Sequence, residues 1–243
     1  MIAPRAERVR VPTRHPPAER LLAFAEGRAS RTERIVLEAH LFHCDACTSA
    51  VTAARPPLDE PWREARGSAA PRDQPLPAFD RLWSRIESRR AVRWPPEAAV
   101  LPPNVLAELE PAERWSWTNL WPSRTRFTVL VREPAAGTEL YLTYYGKNSA
   151  FPLHYHLERE DNVILAGGYK RGMAPPVELA EDQVLTGDWI EGEPGTRHSP
   201  WTDVEEECWC LSQVSLGGSR LETFHGKLQS WLDAWDARRE RLR

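Results

Sequence analysis

The 243-residue sequence contains only four cysteines, three lysines and no long apolar segment. Four cysteines are too few for a disulfide framework, which favours a reducing compartment over an oxidising one. The longest apolar runs, such as residues 127–131, fall far short of the roughly 18 residues that a membrane-spanning helix needs. The first residues also lack the apolar stretch of a secretory signal. We therefore expect a cytoplasmic protein that has no membrane partner.

Charged residues are unevenly distributed along the chain. The formal net charge is −3, from 32 basic and 35 acidic residues. Residues 1–94 contain 17 arginines and 12 acidic residues, a net of +5, whereas residues 95–243 contain 15 basic and 23 acidic residues, a net of −8. Such asymmetry suggests two modules with different partners. The net positive charge of residues 1–94 is small, because acidic residues offset most of the arginines. This is weak evidence for binding to nucleic acid, so we expect no direct DNA binding.

Proline marks a boundary in the first half of the chain. Half of the 22 prolines lie between Pro56 and Pro111, and this density predicts an extended spacer. One helix is expected inside it, at about residues 77–90, because apolar side chains recur there at helical spacing. Those side chains are Phe79, Leu82, Trp83 and Ile86. The helix either completes an N-terminal core or offers an apolar ridge to a protein partner.

The sequence before this spacer has a helical pattern. A first helix is predicted to begin at Pro17 and to end at Gly27. Residues 30–33 have the sequence of a capping box, which begins a second helix. Asp45 is predicted to cap a third helix. We therefore expect a helical domain at residues 1–92 with its core at 12–55.

The sequence after the spacer has a pattern typical of a β domain. Short β-rich runs alternate with glycine and proline at hairpin spacing, which favours an all-β sandwich or barrel. The runs lie at residues 126–131, 139–145, 162–165, 184–190 and 208–214. Residues 220–241 return to a helical period and predict a C-terminal helix. We place this second domain at residues 93–243.

A first cluster of metal-ligand residue types lies near residue 40. His40, Cys44 and Cys47 have the spacing H-x3-C-x2-C, and on a helix a pair four residues apart faces the same way. Thiolate and imidazole donors together favour Zn²⁺, which takes four ligands in a closed structural site. His15 is the preferred fourth ligand, and His43 is the alternative. The competing interpretation is a pair of buried cysteines with unrelated histidines nearby.

This part of the sequence resembles the zinc-binding anti-sigma domain. The resemblance covers about residues 12–55 and rests on the leading His-Pro-Pro, the Leu-Leu-x-Phe-Ala-x-Gly run and the H-x3-C-x2-C core. It implies a small helical bundle that clamps an alternative sigma factor of the extracytoplasmic-function group. It also implies that the helix at 77–90 is the fourth, partner-gripping helix of that bundle. The zinc ligands implied by the resemblance are His15, His40, Cys44 and Cys47.

A second cluster joins three histidines and a glutamate among the β-rich runs. His154 and His156 alternate along a strand and therefore point to the same face. Glu160 follows after a short excursion, with Glu158 as a competing carboxylate, and His198 is expected from a separate strand across the barrel. Three imidazoles and one carboxylate suit Zn, Fe, Mn or Ni. The alternative is a barrel in which these histidines bind no metal.

Residues 115–215 are similar to the two sequence motifs of the cupins, which hold a metal inside a small double-stranded jelly roll. The resemblance implies a second divalent metal in this domain, with Zn²⁺ preferred and Fe, Mn and Ni as alternatives. The expected fold is thus a small all-α zinc-binding helical bundle followed by an all-β cupin, a double-stranded jelly-roll barrel, with a C-terminal helix.

Cys208 and Cys210 alternate along the last β-rich run, so their sulfurs share one face. They are either redox-responsive thiols near the metal or small apolar residues of the core, and the core is the preferred interpretation.

The order of the two modules resembles that of the ChrR-type anti-sigma factors. That resemblance implies a regulator that sequesters an alternative sigma factor and releases it under oxidative stress sensed by the cupin. The main rival is an enzyme, an Fe(II) cupin dioxygenase with an accessory zinc domain. The sequence leaves the stress signal, the oligomeric state and the role of the C-terminal helix open.

Overall fold

The computed structural model describes residues 11–55, 94–120, 123–174 and 179–221. The predicted partner helix at 77–90 lies outside these residues, as does most of the predicted C-terminal helix. Ser219–Leu221 form a strand, so the start of that helix at residue 220 is wrong.

Three helices build the N-terminal part: α1 (Ala18–Ala25), α2 (Arg31–His43) and α3 (Asp45–Ala54). The first begins after Pro17, and Gly27 follows its end with a φ of +72°, a conformation that glycine adopts without strain. The backbone N–H of Glu33 donates to Ser30 Oγ at 3.3 Å, as the capping sequence predicts. Within the described residues, no helix combines the length and apolar content needed to cross a membrane.

The cap of α3 differs from the prediction. Asp45 is the first helical residue, and Cys44, with a φ of −128°, is the cap. The Cys44 sulfur accepts from the Cys47 backbone N–H at 3.5 Å, which is the position that a capping oxygen usually takes. One residue therefore ends α2, begins α3 and offers a metal donor.

Two short helices lie in the stretch for which an extended spacer was predicted. They are a 3₁₀ helix at Pro96–Val100 and α4 at Pro103–Glu108. The spacer prediction is wrong over these residues because a proline stands at the start of each helix, where no backbone N–H is required. Leu101, Val105 and Leu109 are buried, so this segment belongs to the core.

In the part of the chain that the structure describes, ten strands follow and all pair antiparallel. They are β1 (Thr118–Asn119), β2 (Thr125–Glu133), β3 (Thr138–Tyr145), β4 (His154–His156), β5 (Glu160–Met173), β6 (Leu179–Leu185), β7 (Trp189–Gly192), β8 (Arg197–His198), β9 (Cys208–Ser215) and β10 (Ser219–Leu221). The larger sheet has the order β1-β2-β3-β9-β5-β6, with β7 also paired to β5. The smaller sheet has the order β10-β4-β8.

One predicted strand is divided in the structure. The run at 184–190 contains the end of β6, a turn, and the start of β7. Gly187 lies in that turn with a φ of +88°, which a side chain rarely permits. The predicted order of an all-α part followed by an all-β part is confirmed.

Helix α2 packs directly on the larger sheet, and the two parts share one core. The helix contributes Ile35, Val36, Leu37 and Ala39, all fully buried. The sheet residues of the same cluster are Val131, Leu140, Leu142, Val163, Leu165, Trp189 and Leu211. Burying a large aliphatic side chain stabilises a fold by roughly 1.5–3 kcal/mol. The α2–sheet contact is therefore a substantial part of the folding energy, and the helical part is fixed against the barrel.

Two candidate metal centres

The N-terminal centre gathers four donor groups. His15, His40, Cys44 and Cys47 each place one ligand atom so that all four atoms lie within 4.8 Å of one another. His15 Nδ1 is 3.4 Å from the sulfurs of both Cys44 and Cys47. Around a tetrahedral zinc, a nitrogen and a sulfur ligand are roughly 3.6 Å apart. These separations fit one zinc with little rearrangement.

The four donors come from four consecutive parts of the N-terminal module. His40 lies in the last turn of α2, Cys44 in the junction, Cys47 in the first turn of α3, and His15 in the extended segment before α1. The expectation that His40 and Cys44 share one continuous helical face is wrong, because the chain leaves the helix after His43. Because α3 begins directly after α2 ends, the chain reverses between them and brings His40, Cys44 and Cys47 close together.

The surroundings of His40 favour its neutral form, which is the form that binds a metal. Its side chain is fully buried, and its Nε2 has no hydrogen-bond partner within the described parts of the chain. Burial lowers the pKa of His40 to about 4, so the ring is neutral at physiological pH. Burial also raises the pKa of Cys47 to about 12, with Cys44 adding to the effect. Metal binding must therefore displace a thiol proton, as it does at zinc–thiolate sites generally.

His43 is not part of this group, although it was the alternative fourth ligand. Its Nε2 is also buried without a hydrogen-bond partner in the described structure, but its ring faces Phe42, with centroids 5.1 Å apart. The donor group that the structure assembles contains His15 instead.

The second centre consists of three imidazoles in the barrel. His156 Nε2 and His198 Nε2 are 2.8 Å apart, and His198 Nε2 and His154 Nε2 are 2.9 Å apart. All three rings therefore aim the same nitrogen at one point. His198 was expected from across the barrel, and this is wrong: β8 pairs directly with β4, and His154 and His198 are register partners.

Burial keeps these imidazoles neutral. It lowers the pKa of His154 to about 4 and the pKa of His198 to about 2, with the neighbouring histidines adding to the shift at both residues. The pKa of His156 is lowered by burial as well. Three converging neutral nitrogens have lone pairs available to a cation, so the donor set fits a divalent transition metal.

The Glu160 carboxylate lies at the edge of this centre. Its Oε2 is 3.3 Å from His156 Nδ1, the nitrogen on the far side of the ring from the cluster. It does not belong to the group of donors that lie within 4.8 Å of one another. Burial raises the pKa of Glu160 to about 7. Glu158, the competing carboxylate, is exposed. Glu160 as a ligand stays a prediction, and the structure places its carboxylate next to His156 without a hydrogen bond to the ring.

The two cysteines of β9 lie inside the barrel. Cys208 and Cys210 have exposed fractions of 0% and 1% and belong to a cluster with Tyr145, Ile164 and Tyr169. Burial raises the pKa of Cys210 to about 12, and it raises the pKa of Cys208 as well. Both thiols are therefore protonated and inaccessible, which favours their interpretation as core residues.

Comparison with known proteins gives one match to a family model over a short segment and one structural similarity over most of the chain. Residues 18–48 match the family model described as "Putative zinc-finger", and this range contains His40, Cys44 and Cys47. A chain from the crystal structure of Rhodobacter sphaeroides SigE in complex with the anti-sigma ChrR is similar in structure, with a TM-score of 0.56 and 20% sequence identity. The similarity covers 84% of this chain and 100% of that chain.

Two further solved structures match only part of the chain. The polyketide cyclase RemF from Streptomyces resistomycificus is 17% identical, with a TM-score of 0.35, and the match covers 46% of this chain and 78% of that one. An RmlC-like cupin from Ralstonia eutropha JMP134 is 14% identical, with a TM-score of 0.38, and the match covers 51% of this chain and 83% of that one. No curated protein gives a significant match. Within the described residues, the fold is a small helical module, part of which matches the zinc-finger model, followed by an antiparallel β domain.

Proposed function

We propose that this protein is an anti-sigma factor that sequesters an alternative sigma factor of the extracytoplasmic-function group. The observation that carries the proposal is the four-donor site of His15, His40, Cys44 and Cys47, which brings together α2, α3 and the segment just before α1. The site belongs to a chain whose fold follows a chain of the SigE–ChrR complex over 84% of its length. The protein acts by binding and not by catalysis.

The helical module needs its metal to present a defined surface. None of the residues of α1 is fully buried, and α3 buries only Cys47 and Val51. Leu21 and Phe24 of α1 are only partly buried against the core, and a structural zinc site contributes folding free energy directly. In this proposal Zn²⁺ is bound by the four donors and fixes α1 and α3 against α2.

The cupin part is proposed to sense the signal that releases the sigma factor, and oxidative stress is the signal that the family resemblance suggests. A second divalent metal, with Zn²⁺ preferred over Fe, Mn and Ni, would be held by His154, His156 and His198, with Glu160 as a fourth ligand or an orienting group. A signal releases the partner only if it lowers the affinity of the whole chain for it. The helical module and the barrel share a core, so a change in the barrel has a direct route to the bundle.

The rival function is an Fe(II) dioxygenase built on the same three histidines. A dioxygenase needs an open coordination position and access for a substrate. His154 and His156 are 4% and 1% exposed, whereas His198 is partly exposed, so burial does not separate the two functions. Oxygen uptake by the iron-loaded protein on addition of small carbonyl or phenolic compounds would support the enzyme instead.

Co-purification with metal analysis tests the proposal. The tagged full chain is expressed in its own host, and bound proteins are identified by mass spectrometry. A sigma factor at near 1:1 stoichiometry, together with zinc in the same sample, is the expected result. A Cys44→Ser/Cys47→Ser variant is the matched control and is expected to lose the partner and one zinc equivalent per chain, while any metal in the barrel is retained. Recovery of zinc-loaded protein without any sigma factor would contradict the proposal.

A further inference from the structure

The turn between β6 and β7 lies directly against the N-terminal metal centre. The carbonyl oxygen of Gly187 is 2.8 Å from His40 Nδ1, although the two residues are 147 positions apart in sequence. A carbonyl oxygen only accepts, so Nδ1 carries the proton and donates. The lone pair of the neutral ring is then on Nε2, the buried atom that has no hydrogen-bond partner in the described structure. The barrel backbone thus selects the tautomer of a zinc ligand.

The next residue of the turn holds the segment that carries His15. Asp188 Oδ1 accepts from the Thr13 backbone N–H at 2.8 Å, from Thr13 Oγ1 at 3.3 Å and from the Arg14 backbone N–H at 3.3 Å. Its Oδ2 accepts from the Leu185 backbone N–H at 3.0 Å. Asp188 is 2% exposed, and the Trp189 backbone N–H donates to the Arg14 carbonyl at 3.1 Å. The segment is therefore attached to the barrel immediately before His15.

We propose that this turn, residues 186–188, is the outer shell of the N-terminal zinc site, with Gly187 and Asp188 as positioning residues. Gly187 orients His40 through a hydrogen bond, and Asp188 positions His15 through the backbone just before it. Two of the four ligands thereby depend on the barrel. Metal occupancy of the helical module and its docking on the barrel stabilise one another.

The physical basis is reciprocal linkage. If a docked barrel raises zinc affinity by some factor, bound zinc must favour docking by the same factor. Outer-shell partners of metal-bound histidines change metal affinity by roughly 10–100-fold when they are removed. The inference requires that the four donors bind a metal, and it is independent of any sigma factor.

A substitution at Gly187 would disturb the contact between the turn and the metal centre specifically. A Cβ at this position would lie 2.6 Å from Pro12 Cγ and 2.9 Å from His43 Cβ, both on the helical side. Gly187→Ala therefore forces the turn away from the metal centre. Gly217→Ala is the matched control, because Gly217 also has a positive φ, +73°, but an added Cβ meets no atom within 4 Å. Any difference between the two variants reports the contact and not the strained backbone.

The experiment measures Co²⁺ affinity in the full chain by competition with a chelator. Cobalt bound by thiolates has a charge-transfer absorbance that a site of histidines alone lacks, so the signal reports only the centre with Cys44 and Cys47. We expect Gly187→Ala to weaken Co²⁺ binding by about 10–100-fold, and Gly217→Ala to leave it within about twofold of wild type. Asp188→Asn, which keeps the size of the side chain, is expected to fall between them.

A second measurement tests the reverse direction and guards against misfolding of the variants. In wild-type protein, removal of the metal is expected to speed amide hydrogen exchange at Trp189, whose N–H bonds to Arg14, while the amide of Leu211 in the middle of β9 stays protected. Unchanged cobalt affinity in both Gly187→Ala and Asp188→Asn would overturn the proposal. So would equal exchange at Trp189 with and without metal.

Discussion

At the scale of single residues, both candidate centres depend on burial that keeps imidazoles neutral. The pKa of His40 and that of His154 are lowered to about 4, chiefly by desolvation. A neutral ring offers a lone pair, and its tautomer decides which nitrogen is free. For His40 that choice is made by the Gly187 carbonyl. The chemistry of the site is therefore set by neighbours as much as by the ligands.

The identity of the fourth ligand gives a first prediction. His15→Ala removes a donor that lies 3.4 Å from both sulfurs, so we expect the N-terminal centre to lose metal affinity by at least a factor of 100. His43→Ala, which removes a half-buried ring outside the donor group, is expected to retain the metal. Chelator competition with thiolate-bound Co²⁺ measures both variants. Retention of affinity in His15→Ala with its loss in His43→Ala would reverse the assignment.

The thiols of the barrel give a second prediction. Cys208 and Cys210 are inaccessible, and burial raises the pKa of Cys210 to about 12, so little reactive thiolate is present. In native metal-loaded protein we expect neither thiol to react with an alkylating reagent during a period in which the denatured chain reacts fully. Peptide mass spectrometry identifies the modified residues. Rapid alkylation of either thiol in the folded protein would instead support a redox role.

The candidate donor residues could be predicted from the sequence, but the residues that surround them could not. The spacing of His40, Cys44 and Cys47 is local, so it is visible in the sequence before any fold is known. The contact of His40 with Gly187 joins residues 147 positions apart, and no local pattern encodes it. Asp188 likewise shows no sequence signal beyond a turn after a β-rich run. The fold class was predictable for the same reason as the donors, because helical and strand periodicity are local properties.

At the scale of elements, the two short helices after the proline-rich stretch matter most for the packing of the core. A proline begins each of them, and the apolar side chains that follow are buried against α2 and the sheet. Arg31 Nη2 donates to the Glu108 carbonyl at 2.7 Å, which ties the end of α4 to the start of α2. The density of proline indicated a spacer, but the effect of a proline depends on its position. Proline breaks the interior of a helix and is tolerated in the first turn.

This packing gives a third prediction. Leu101 is 4% exposed and lies in the shared core. Leu101→Ala is expected to lower the free energy of unfolding by about 2–4 kcal/mol, because it removes buried methyl groups and leaves a cavity. Leu216→Ala is the control, since Leu216 is 46% exposed, and its effect is expected within about 0.5 kcal/mol. Urea denaturation measures both, and equal effects would contradict the assignment of this segment to the core.

At the scale of the whole molecule, the helical module and the barrel form one structure across the described residues. Beside the shared apolar core, Arg20 Nη2 lies 3.3 Å from Asp161 Oδ2. The Thr32 hydroxyl lies 2.8 Å from the Thr138 hydroxyl. The charge asymmetry of the sequence indicated two modules with different partners, but it gave no sign of this contact. In the proposed function, packed side chains of this shared core connect the barrel to the helical module that would bind the partner.

Inhibition of transcription tests the central claim most directly. Purified full chain is titrated into a reconstituted reaction with core RNA polymerase and each extracytoplasmic-function sigma factor of the same genome, and transcripts are counted. We expect one sigma factor to lose activity at a near 1:1 ratio with the wild-type protein, and Cys44→Ser/Cys47→Ser protein to leave that sigma factor active. Undiminished transcription with every such sigma factor, in the presence of zinc-loaded wild-type protein, would contradict it.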